Sequence, residues 1–327
     1  MRYLNERDLL QIGMDWDRLV DLINTAAAAH ALGECAQPIK PYLKFGNERN
    51  RIIAMPAYVS RPIRAAGLKW IASFPDNIAS GLPRAHSVTL VNDPDTGAPA
   101  ALIKGSLISA IRTAAVSAAL LQSLLTAAPR TDLEVAIIGM GPIGRMHAQM
   151  LNSLFGNHRV ARIRAYDQRD IDVEQWLNGL ADFSIPVERS NSWQEAYREA
   201  DLVFTCTASI ERYIDEAPKP SSLLMHISLR DYSLQTLAGV GAIIVDHWEE
   251  VCRADTDIER LHQYQGLQAE HTVSLATVLE NPQLVMPSID SGKAMLFAPM
   301  GLAVFDIAIA AYYVSIAEAL GIGIMLD

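Results

Sequence analysis

The stretch VAIIGMGPIG, residues 135–144, decides the fold of this chain. Its first four residues form the apolar run of a buried strand, and the glycines after it have the spacing GxGxxG directly before a predicted helix. Gly139 is expected to make the tight turn, Gly141 to let the backbone approach a pyrophosphate, and Gly144 to let the helix pack closely on the strand. The N–H groups and the positive dipole end of that helix would hold phosphates. The residues expected to contact a dinucleotide here are Gly139, Gly141, Pro142, Ile143 and Gly144.

The next strand pattern, ARIRAYD at residues 161–167, ends in an acidic residue. A carboxylate at Asp167 can hydrogen-bond both ribose hydroxyls of an adenosine and would repel a 2′-phosphate, so the sequence favours NAD over NADP. Arg169 is close enough in sequence to keep NADP open as an alternative. The competing interpretation is a glycine-rich turn in an α/β domain that binds no nucleotide, and the strand–turn–helix context disfavours it.

Strands and helices continue to alternate after this motif. Apolar runs at DLVFTCT (201–207), SLLMHIS (222–228) and AIIVDHW (242–248) are separated by segments with helical patterns. Such alternation predicts a parallel sheet with helices on both faces, which is the Rossmann architecture.

The N-terminal third of the chain has a different pattern. Residues 6–31 carry apolar side chains at helical spacing. Three strand patterns follow, at residues 51–59, 66–73 and 86–93. The turn residues of NDPDTGAP, residues 92–99, predict a hairpin after the third strand, so this region is expected to form a meandering sheet.

Two apolar helices are expected to join these parts of the chain. An alanine-rich helix at 109–125 links the first part to the Rossmann part, and a helix after GLAVFD, residues 301–306, returns to the first. The predicted fold class is therefore α/β, with a Rossmann dinucleotide-binding domain inserted in a discontinuous α/β domain for substrate binding and dimerisation. The predicted boundaries are residues 1–112 with 305–327 for the discontinuous domain, and 113–304 for the Rossmann domain.

Composition narrows the class of protein further. The 327 residues are 50% hydrophobic and 20% charged, with a formal net charge of −10, which indicates packed cores and disfavours binding to nucleic-acid phosphates. The three cysteines and the scattered histidines lack metal-ligand spacing, so no metal site is predicted. The N-terminus is too charged for a signal peptide, and the apolar stretch at 307–324 is interrupted by polar residues. We therefore expect a cytoplasmic protein with no membrane span.

Three charged residues are candidates for chemistry. Lys69 lies in an apolar strand pattern, where a buried lysine would have a lowered pKa; the alternative is a solvent-facing strand position. Arg112 lies in a helix poor in charge and could bind a carboxylate or phosphate, or form an interhelical salt bridge. Asp231 follows a predicted strand at the edge where α/β sheets bind ligands, and could act on water or simply cap a helix.

Six stretches in order carry a resemblance to a known family. They are GLKW (67–70), SLISAIRTAAVSA (106–118), VAIIGMGPIG (135–144), TCTA (205–208), SLRD (228–231) and PMGLAVFD (299–306). The chain resembles the ornithine cyclodeaminase/mu-crystallin family over nearly its whole length. The resemblance implies a homodimer joined through the sheets of the discontinuous domain, with NAD as cofactor and a small amino-acid-derived substrate.

The resemblance also implies roles for individual residues. Lys69 would meet the substrate carboxylate or transfer a proton, Arg112 would lie near the pyrophosphate and substrate, and Asp231 would position the attacking water and accept its proton. The remaining cofactor-lining residues would be Ser87, Thr205, Thr207, His226, Ser228, Leu229 and Pro299. Met55 and Met300 would lie beside the substrate.

Within this family the chain is most similar to the N-(amino-carboxyethyl)-glutamate dehydrogenases of diaminopropionate biosynthesis, which serve siderophore and peptide pathways. The stretches that carry this are QPIKPYLK (37–44), NRIIAMPAYV (50–59), LVNDPDTG (90–97), SLISAIRTAAVS (106–117) and VDHWEEVCR (245–253). Ornithine cyclodeaminases have a glutamate two residues before the methionine of the MP pair, where this chain has Ile53. The cations Lys40, Lys44 and Arg51 suit a substrate with extra carboxylates, and Lys44 is a candidate substrate contact.

The resemblance leaves several functions open. An ornithine cyclodeaminase would form proline and ammonia with recycled NAD, and other members would reduce ketimines or oxidise alanine. A non-enzymatic mu-crystallin-like protein would bind nucleotide and ligand without turnover, although Lys69, Arg112 and Asp231 are all present.

Overall fold

The computed structural model describes residues 1–47, 49–180 and 182–327. Its strands are β1 Arg2–Leu4, β2 Cys35–Ala36, β3 Tyr42–Leu43, β4 Arg51–Val59, β5 Ala65–Ser73, β6 Ala85–Asn92, β7 Pro99–Lys104, β8 Leu133–Ile138, β9 Val160–Tyr166, β10 Val187–Arg189, β11 Leu202–Thr205, β12 Leu223–His226, β13 Ala242–Val245, β14 Val273–Ser274, β15 Met295–Ala298 and β16 Ile324–Met325.

The α-helices are α1 Glu6–Ile12, α2 Trp16–Ala31, α3 Leu107–Ala127, α4 Pro142–Leu154, α5 Gly156–Arg159, α6 Val173–Leu177, α7 Trp193–Tyr197, α8 Leu234–Leu237, α9 Trp248–Val251, α10 Asp257–Gln265, α11 Leu275–Glu280, α12 Met286–Asp290 and α13 Ala303–Leu320. Short 3₁₀ turns span Pro75–Ser80, Ala269–His271 and Pro282–Leu284.

The chain divides into two compact units. Unit 1 contains Met1–Val116 and Gly301–Asp327, and unit 2 contains Ser117–Met300. The boundaries expected from the sequence, 112/113 and 304/305, each differ from these by four residues, because the first falls inside α3 and the second falls just after the start of α13. The periodic pattern of a helix continues across the residue where one unit ends. The sequence could therefore not predict the position of either boundary more closely.

Unit 1 is built on one mixed sheet. Its strand order is β16-β1-β7-β6-β5-β4-β2, with β3 also paired to β4. The four strands from β4 to β7 form the predicted antiparallel meander, and the turn between β6 and β7 is closed by Gly97 N–H donating to the Asp93 carbonyl at 2.9 Å. β1 pairs parallel to β7 and antiparallel to β16, so both chain ends join the same sheet edge.

The long apolar helix α13 packs on this sheet and on α2. Gly67 permits the close approach, since a Cβ there would lie 2.3 Å from the Leu90 carbonyl oxygen and 3.0 Å from Ile307 Cδ1. The helical pattern at residues 6–31 is two helices rather than one, because the chain turns at Gly13 with φ of 84°.

Unit 2 is a parallel sheet of eight strands in the order β10-β9-β8-β11-β12-β15-β13-β14. The βα alternation expected from the sequence is confirmed, and the order runs outward on both sides of β8, the strand that precedes the glycine motif. Parallel pairing brings the carboxyl ends of β8, β11, β12 and β15 to one edge of the sheet. That edge is where open α/β sheets bind ligands.

Within the part of the chain that the structure describes, two helices, α3 and α13, are long and apolar enough to cross a membrane by length and composition alone. Within the structure, 72% of the apolar window of α3 and 61% of that of α13 are buried. Core helices pass the same test of length and composition, so these two give only weak support for a membrane span.

Candidate functional site

The glycine motif forms the expected turn between β8 and α4. Gly139 has φ of 104°, and a Cβ there would lie 2.6 Å from the backbone of Cys206; a Cβ at Gly144 would lie 2.1 Å from the Gly139 carbonyl oxygen. Both positions therefore require glycine for close backbone packing. A Cβ at Gly141, in contrast, would meet no atom within 4 Å.

The space beside Gly141 suits a phosphate group. Gly141 is the N-cap of α4, no side chain caps that helix, and Pro142 occupies its first turn. A 13-residue helix with uncapped N–H groups presents partial positive charge at its start. Ile143, in the same turn, is half-buried. These features fit a dinucleotide pyrophosphate.

Asp167 follows β9 and is held against the glycine turn. Its carboxylate accepts from Met140 N–H at 2.9 Å and from Arg169 N–H at 3.0 Å, and Arg169 Nε donates at 3.1 Å. Burial alone would raise the pKa of Asp167, but the hydrogen bonds from Arg169 and Met140 lower it overall. The residue is therefore ionised and placed at a strand end, as ribose recognition requires.

Asp231 lies after β12 and is fully buried. Thr207 and Ser228 donate hydroxyl hydrogen bonds to its two carboxylate oxygens. The interpretation of Asp231 as a helix cap is wrong, because Ser233 caps α8 and accepts from Thr236 N–H at 3.2 Å. Leu229, two residues earlier, has φ of 67°, a strained conformation for a branched side chain that fixes the path of the loop.

A buried network of hydrogen bonds and ion pairs holds the loop that carries Asp231. His226 Nε2 contacts Asp257 Oδ2 at 2.8 Å, and the Thr205 hydroxyl lies 2.9 Å from His226 Nδ1. Asp257 also accepts from Tyr232 N–H at 3.0 Å and from Arg212 Nε at 2.9 Å. Burial would raise the pKa of Asp257, but His226, Tyr232 and Arg212 together lower it.

These contacts change what is expected of two predicted cofactor residues. Thr205 and His226 are fully buried, and both ring nitrogens of His226 are engaged inside unit 2. Their side chains therefore position the loop that carries Asp231, and a contact with cofactor through their backbone stays a prediction. Asp257 was not predicted as a site residue, because an acidic residue in the first turn of a helix is already explained by the helix dipole.

Unit 1 carries a separate cluster of buried charges. Lys69 is 2% exposed, and its Nζ donates to Asp306 Oδ1 at 3.0 Å and to Ser109 Oγ at 2.7 Å. Arg112 Nε donates to the same Asp306 oxygen at 2.9 Å. The solvent-facing interpretation of Lys69 is wrong, whereas the interhelical salt bridge considered for Arg112 is present, between α3 and α13.

Asp306 was not predicted as a site residue, although it lies in the quoted stretch PMGLAVFD. Burial would raise its pKa, but Arg112 and Lys69 lower it overall, so it is ionised. Its second oxygen, Oδ2, is buried and has no hydrogen-bond partner among residues 1–47, 49–180 and 182–327. A carboxylate in an otherwise apolar helix was the available sequence signal, since such a charge is stable only when paired.

Lys40 adds a third cation to this cluster. It is 3% exposed and its Nζ donates to the Gly301 carbonyl oxygen at 2.8 Å. The pKa of Lys69 is lowered to about 8, chiefly by burial and further by the neighbouring cations Arg112 and Lys40, despite the opposing effect of Asp306. Lys69 and Arg112 are two cations that share the single carboxylate of Asp306, which favours an anionic ligand beside them.

The remaining predicted residues are distributed over both units. In unit 1, Met55 is buried and pairs with Lys69 across β4 and β5, and Ser87 donates to the Gly105 carbonyl oxygen at 2.8 Å. Lys44 is exposed after β3. In unit 2, Pro299 is buried, and Met300 N–H donates to Asp246 Oδ1 at 3.0 Å. Among the described residues, no group of His, Cys, Asp and Glu side chains could hold a metal ion.

Comparison with known proteins identifies the family. The model of the ornithine cyclodeaminase/mu-crystallin family matches residues 8–227. The chain belongs to this family. N-((2S)-2-amino-2-carboxyethyl)-L-glutamate dehydrogenase of Staphylococcus aureus is 31% identical to it over 342 aligned positions, which cover 100% of this chain and 98% of the relative.

Solved structures share the fold. Delta(1)-pyrroline-2-carboxylate reductase of Thermococcus litoralis, in complex with NADH and L-proline, superposes with a TM-score of 0.85 at 22% identity, covering 100% of both chains. An archaeal alanine dehydrogenase dimer with bound NAD superposes with a TM-score of 0.81 at 22% identity, covering 100% of this chain and 99% of the other.

Proposed function

We propose that this NAD-dependent oxidoreductase acts on the C–N bond of N-(2-amino-2-carboxyethyl)-L-glutamate. Oxidation of the secondary amine gives an imine, and its hydrolysis releases 2,3-diaminopropionate and 2-oxoglutarate. The balance is substrate, NAD⁺ and water on one side, and diaminopropionate, 2-oxoglutarate, NADH and a proton on the other. The observation that carries the proposal is the similarity over the whole chain to the Staphylococcus aureus dehydrogenase named for this substrate.

NAD is the cofactor that the residues of unit 2 fit. Gly141 leaves open space at the start of α4, and the ionised Asp167 stands at the end of β9. We assign the pyrophosphate to the first and the adenosine ribose to the second. Bound NAD supplies a hydride acceptor, and the chain's own residues must then handle the charges that hydride loss creates.

Asp231 is assigned the role of stabilising a cation and activating water. Loss of hydride from a C–N carbon leaves an iminium cation, and its hydrolysis needs a base. The Asp231 carboxylate is fully buried and accepts hydrogen bonds from the hydroxyls of Thr207 and Ser228, and a carboxylate in such a place would attract a nearby cation. Thr207 and Ser228 fix its orientation.

The cationic cluster of unit 1 is assigned to substrate carboxylate. Lys69 and Arg112 together exceed the single charge of Asp306, so a bound carboxylate would relieve their repulsion. A pKa near 8 also lets Lys69 release a proton near neutral pH. Ile53 provides no charge to hold the distal amine of ornithine, which weighs against the cyclodeaminase reaction.

We propose further that the protein is a cytoplasmic homodimer joined through unit 1, and that its product serves siderophore or peptide biosynthesis. The mass in solution by light scattering tests the first statement: twice the 35.8 kDa of one chain is expected, and a monomer at micromolar concentration would refute it.

The test of function follows NADH absorbance with purified protein and NAD. N-(2-amino-2-carboxyethyl)-L-glutamate should give sustained NADH formation with equimolar 2-oxoglutarate, while ornithine, lysine and alanine should give none. Proline and ammonia from ornithine without net NADH would establish the cyclodeaminase alternative. NADH formation from alanine alone would establish an amino-acid dehydrogenase. Binding of NADH with no turnover of any compound would support a binding protein.

Asp231→Asn sharpens this test. The variant should bind NADH with unchanged affinity and lose about 100-fold or more in kcat, since general-base catalysis contributes about 10² to 10⁴. Asp215→Asn is the matched control, because Asp215 is exposed, and it should keep wild-type turnover. Turnover of Asp231→Asn within twofold of wild type would remove Asp231 from the mechanism.

A further inference from the structure

Two arginines in unit 1 lie together at the end of the sheet. Arg51 begins β4 and pairs in register with Ser73, the last residue of β5. Arg84 stands directly before β6, whose first residue, Ala85, pairs with Ser73 from the other side. Arg84 Nη1 donates to Ser73 Oγ at 2.9 Å, and the Arg51 guanidinium lies 5.4 Å from the centre of the Tyr42 ring.

This pair of cations has no protein counter-ion among the described residues. Arg51 Nε is buried and has no hydrogen-bond partner there. Burial, and then repulsion by Arg51, lowers the pKa of Arg84, with no opposing effect of a carboxylate. Two partly buried like charges that repel each other destabilise a fold unless an anion joins them.

The surrounding loops hold this end of the sheet in place. Phe45 and Phe74 pack edge to face with their ring centres 6.3 Å apart, and Phe74 N–H donates to the Arg84 carbonyl oxygen at 2.8 Å. Arg49 pairs with Asp76 across the same two loops at 2.9 Å. The arginines therefore stand on a built framework rather than on a free loop.

Arg51 shares a face of the sheet with Lys69, and Arg84 donates to the Ser73 hydroxyl of that face. Side chains alternate along strands, so Arg51, Ile53 and Met55 of β4 lie on one face, opposite Ser73, Ile71 and Lys69 of β5 in the same order. Lys69 and Ser73 are four residues apart, which is about 13 Å along the strand. The segment between the two cationic sites is apolar and half-buried at Ile53 and Ile71.

We infer that Arg51 and Arg84, with the Ser73 hydroxyl, form a subsite for the distal carboxylate of an amino-acid substrate with several carboxylates, whose other end is held at Lys69 and Arg112. The inference rests on the proposed function and names the feature that selects its substrate. In N-(2-amino-2-carboxyethyl)-L-glutamate the outermost carboxyl carbons are about 9 Å apart when extended. Lysine and arginine side chains reaching from Cα positions about 13 Å apart can hold both ends.

Equilibrium binding to the protein with NADH tests the subsite without requiring turnover. The probes are 2-oxoglutarate and 2-oxopentanoate, which differ only in the distal carboxylate. Wild-type protein should bind 2-oxoglutarate about tenfold or more tightly, the scale of a charge-assisted hydrogen bond. Arg51→Gln and Arg84→Gln should each bring the two affinities to within about threefold by weakening only 2-oxoglutarate. The control, Arg49→Gln, removes a neighbouring arginine that already pairs with Asp76 and should keep the wild-type ratio.

Stability separates a ligand site from a structural role. Removing one of two repelling cations should leave the melting temperature of the unliganded protein unchanged or higher, whereas a structural arginine would lower it. Equal wild-type affinity for the two probes, or an unchanged ratio in both variants, would overturn the inference. A ratio that collapses as expected, in a protein that does not oxidise the substituted glutamate, would uphold the subsite while refuting the proposed reaction.

Discussion

Replacing Asp306 with Asn tests whether one carboxylate holds the buried cations of unit 1 together. The side chain keeps its shape and one acceptor oxygen but loses the charge that pairs with Lys69 at 3.0 Å and Arg112 at 2.9 Å. Breaking a buried ion pair by removing one partner costs about 3–5 kcal/mol, because the other charge stays buried without compensation. Asp306 has two such partners, and the free-energy losses of the two pairs need not add.

Lys69 and Arg112 respond differently to the loss of the Asp306 charge, and this difference determines how much stability the variant loses. Lys69 can lose its proton: its pKa of about 8 lies one unit above pH 7, so neutralising it in the variant costs about 1.4 kcal/mol at that pH. At pH 9 the lysine is already mostly neutral in the wild type, so this contribution disappears. An arginine side chain, in contrast, does not lose its proton in proteins. We expect a loss of about 3–5 kcal/mol at pH 7, and about 1 kcal/mol less at pH 9.

The stability difference between wild type and variant depends on pH, because proton binding by Lys69 is linked to folding. Because the folded-state pKa of Lys69 lies below the unfolded value of 10.5, wild-type stability from this group rises with pH between about 8 and 10.5. In the variant the rise begins at lower pH, so the difference between the proteins shrinks from pH 7 to pH 9. Urea unfolding followed by circular dichroism at both pH values measures it. Asp76→Asn, which removes the exposed partner of Arg49, should cost less than about 1 kcal/mol. A loss below 1 kcal/mol for Asp306→Asn at both pH values would refute the argument.

Three further predictions concern the cofactor and the lysine. Gly144→Ala should lower the melting temperature because its Cβ meets the Gly139 carbonyl, whereas Gly141→Ala should keep the melting temperature and weaken NADH binding about tenfold or more in a fluorescence titration. Asp167→Ser should raise the Kd of NADH about tenfold and reduce the preference for NADH over NADPH, and an unchanged ratio of the two Kd values would contradict ribose recognition by this residue. If protonated Lys69 binds the substrate carboxylate, kcat/KM should fall as pH rises through about 8 in the free enzyme; a rise over the same range would assign the neutral amine as a base.

The sequence predicted those parts of the fold that depend on residues close together in the chain. The strand, glycine spacing and helix at residues 135–144 allow one backbone arrangement, because a Cβ at Gly139 or Gly144 would clash with backbone atoms. The meander of β4 to β7 followed from alternating patterns and one strong turn. The break between α1 and α2 at Gly13 was not predicted, since a single glycine is tolerated inside many helices.

Ion pairs between residues that are far apart in the sequence could not be predicted from local patterns. Lys69, Arg112 and Asp306 come from a strand and two helices separated by up to 237 residues, and no periodicity links them. The cost of burying a charge gave a reason to expect a partner for Lys69, but many carboxylates could have supplied it. The pairing of Arg51 with Arg84 was equally hidden, because it depends on the register of β4 and β6 against β5.

Unit 1 buries cations and unit 2 buries a carboxylate, and the proposed substrate carries charges that suit each of them. Unit 1 buries more positive than negative charge around Asp306, a state that a bound carboxylate relieves. In unit 2 the buried Asp231 accepts hydrogen bonds from two hydroxyls, and we assign to it the stabilisation of a cation. A substrate with several carboxylates whose oxidation creates an iminium supplies both charges in one molecule. An ornithine substrate would supply one carboxylate, and its distal ammonium would face Ile53 and the cations of unit 1, so the same charges that favour the substituted glutamate disfavour ornithine.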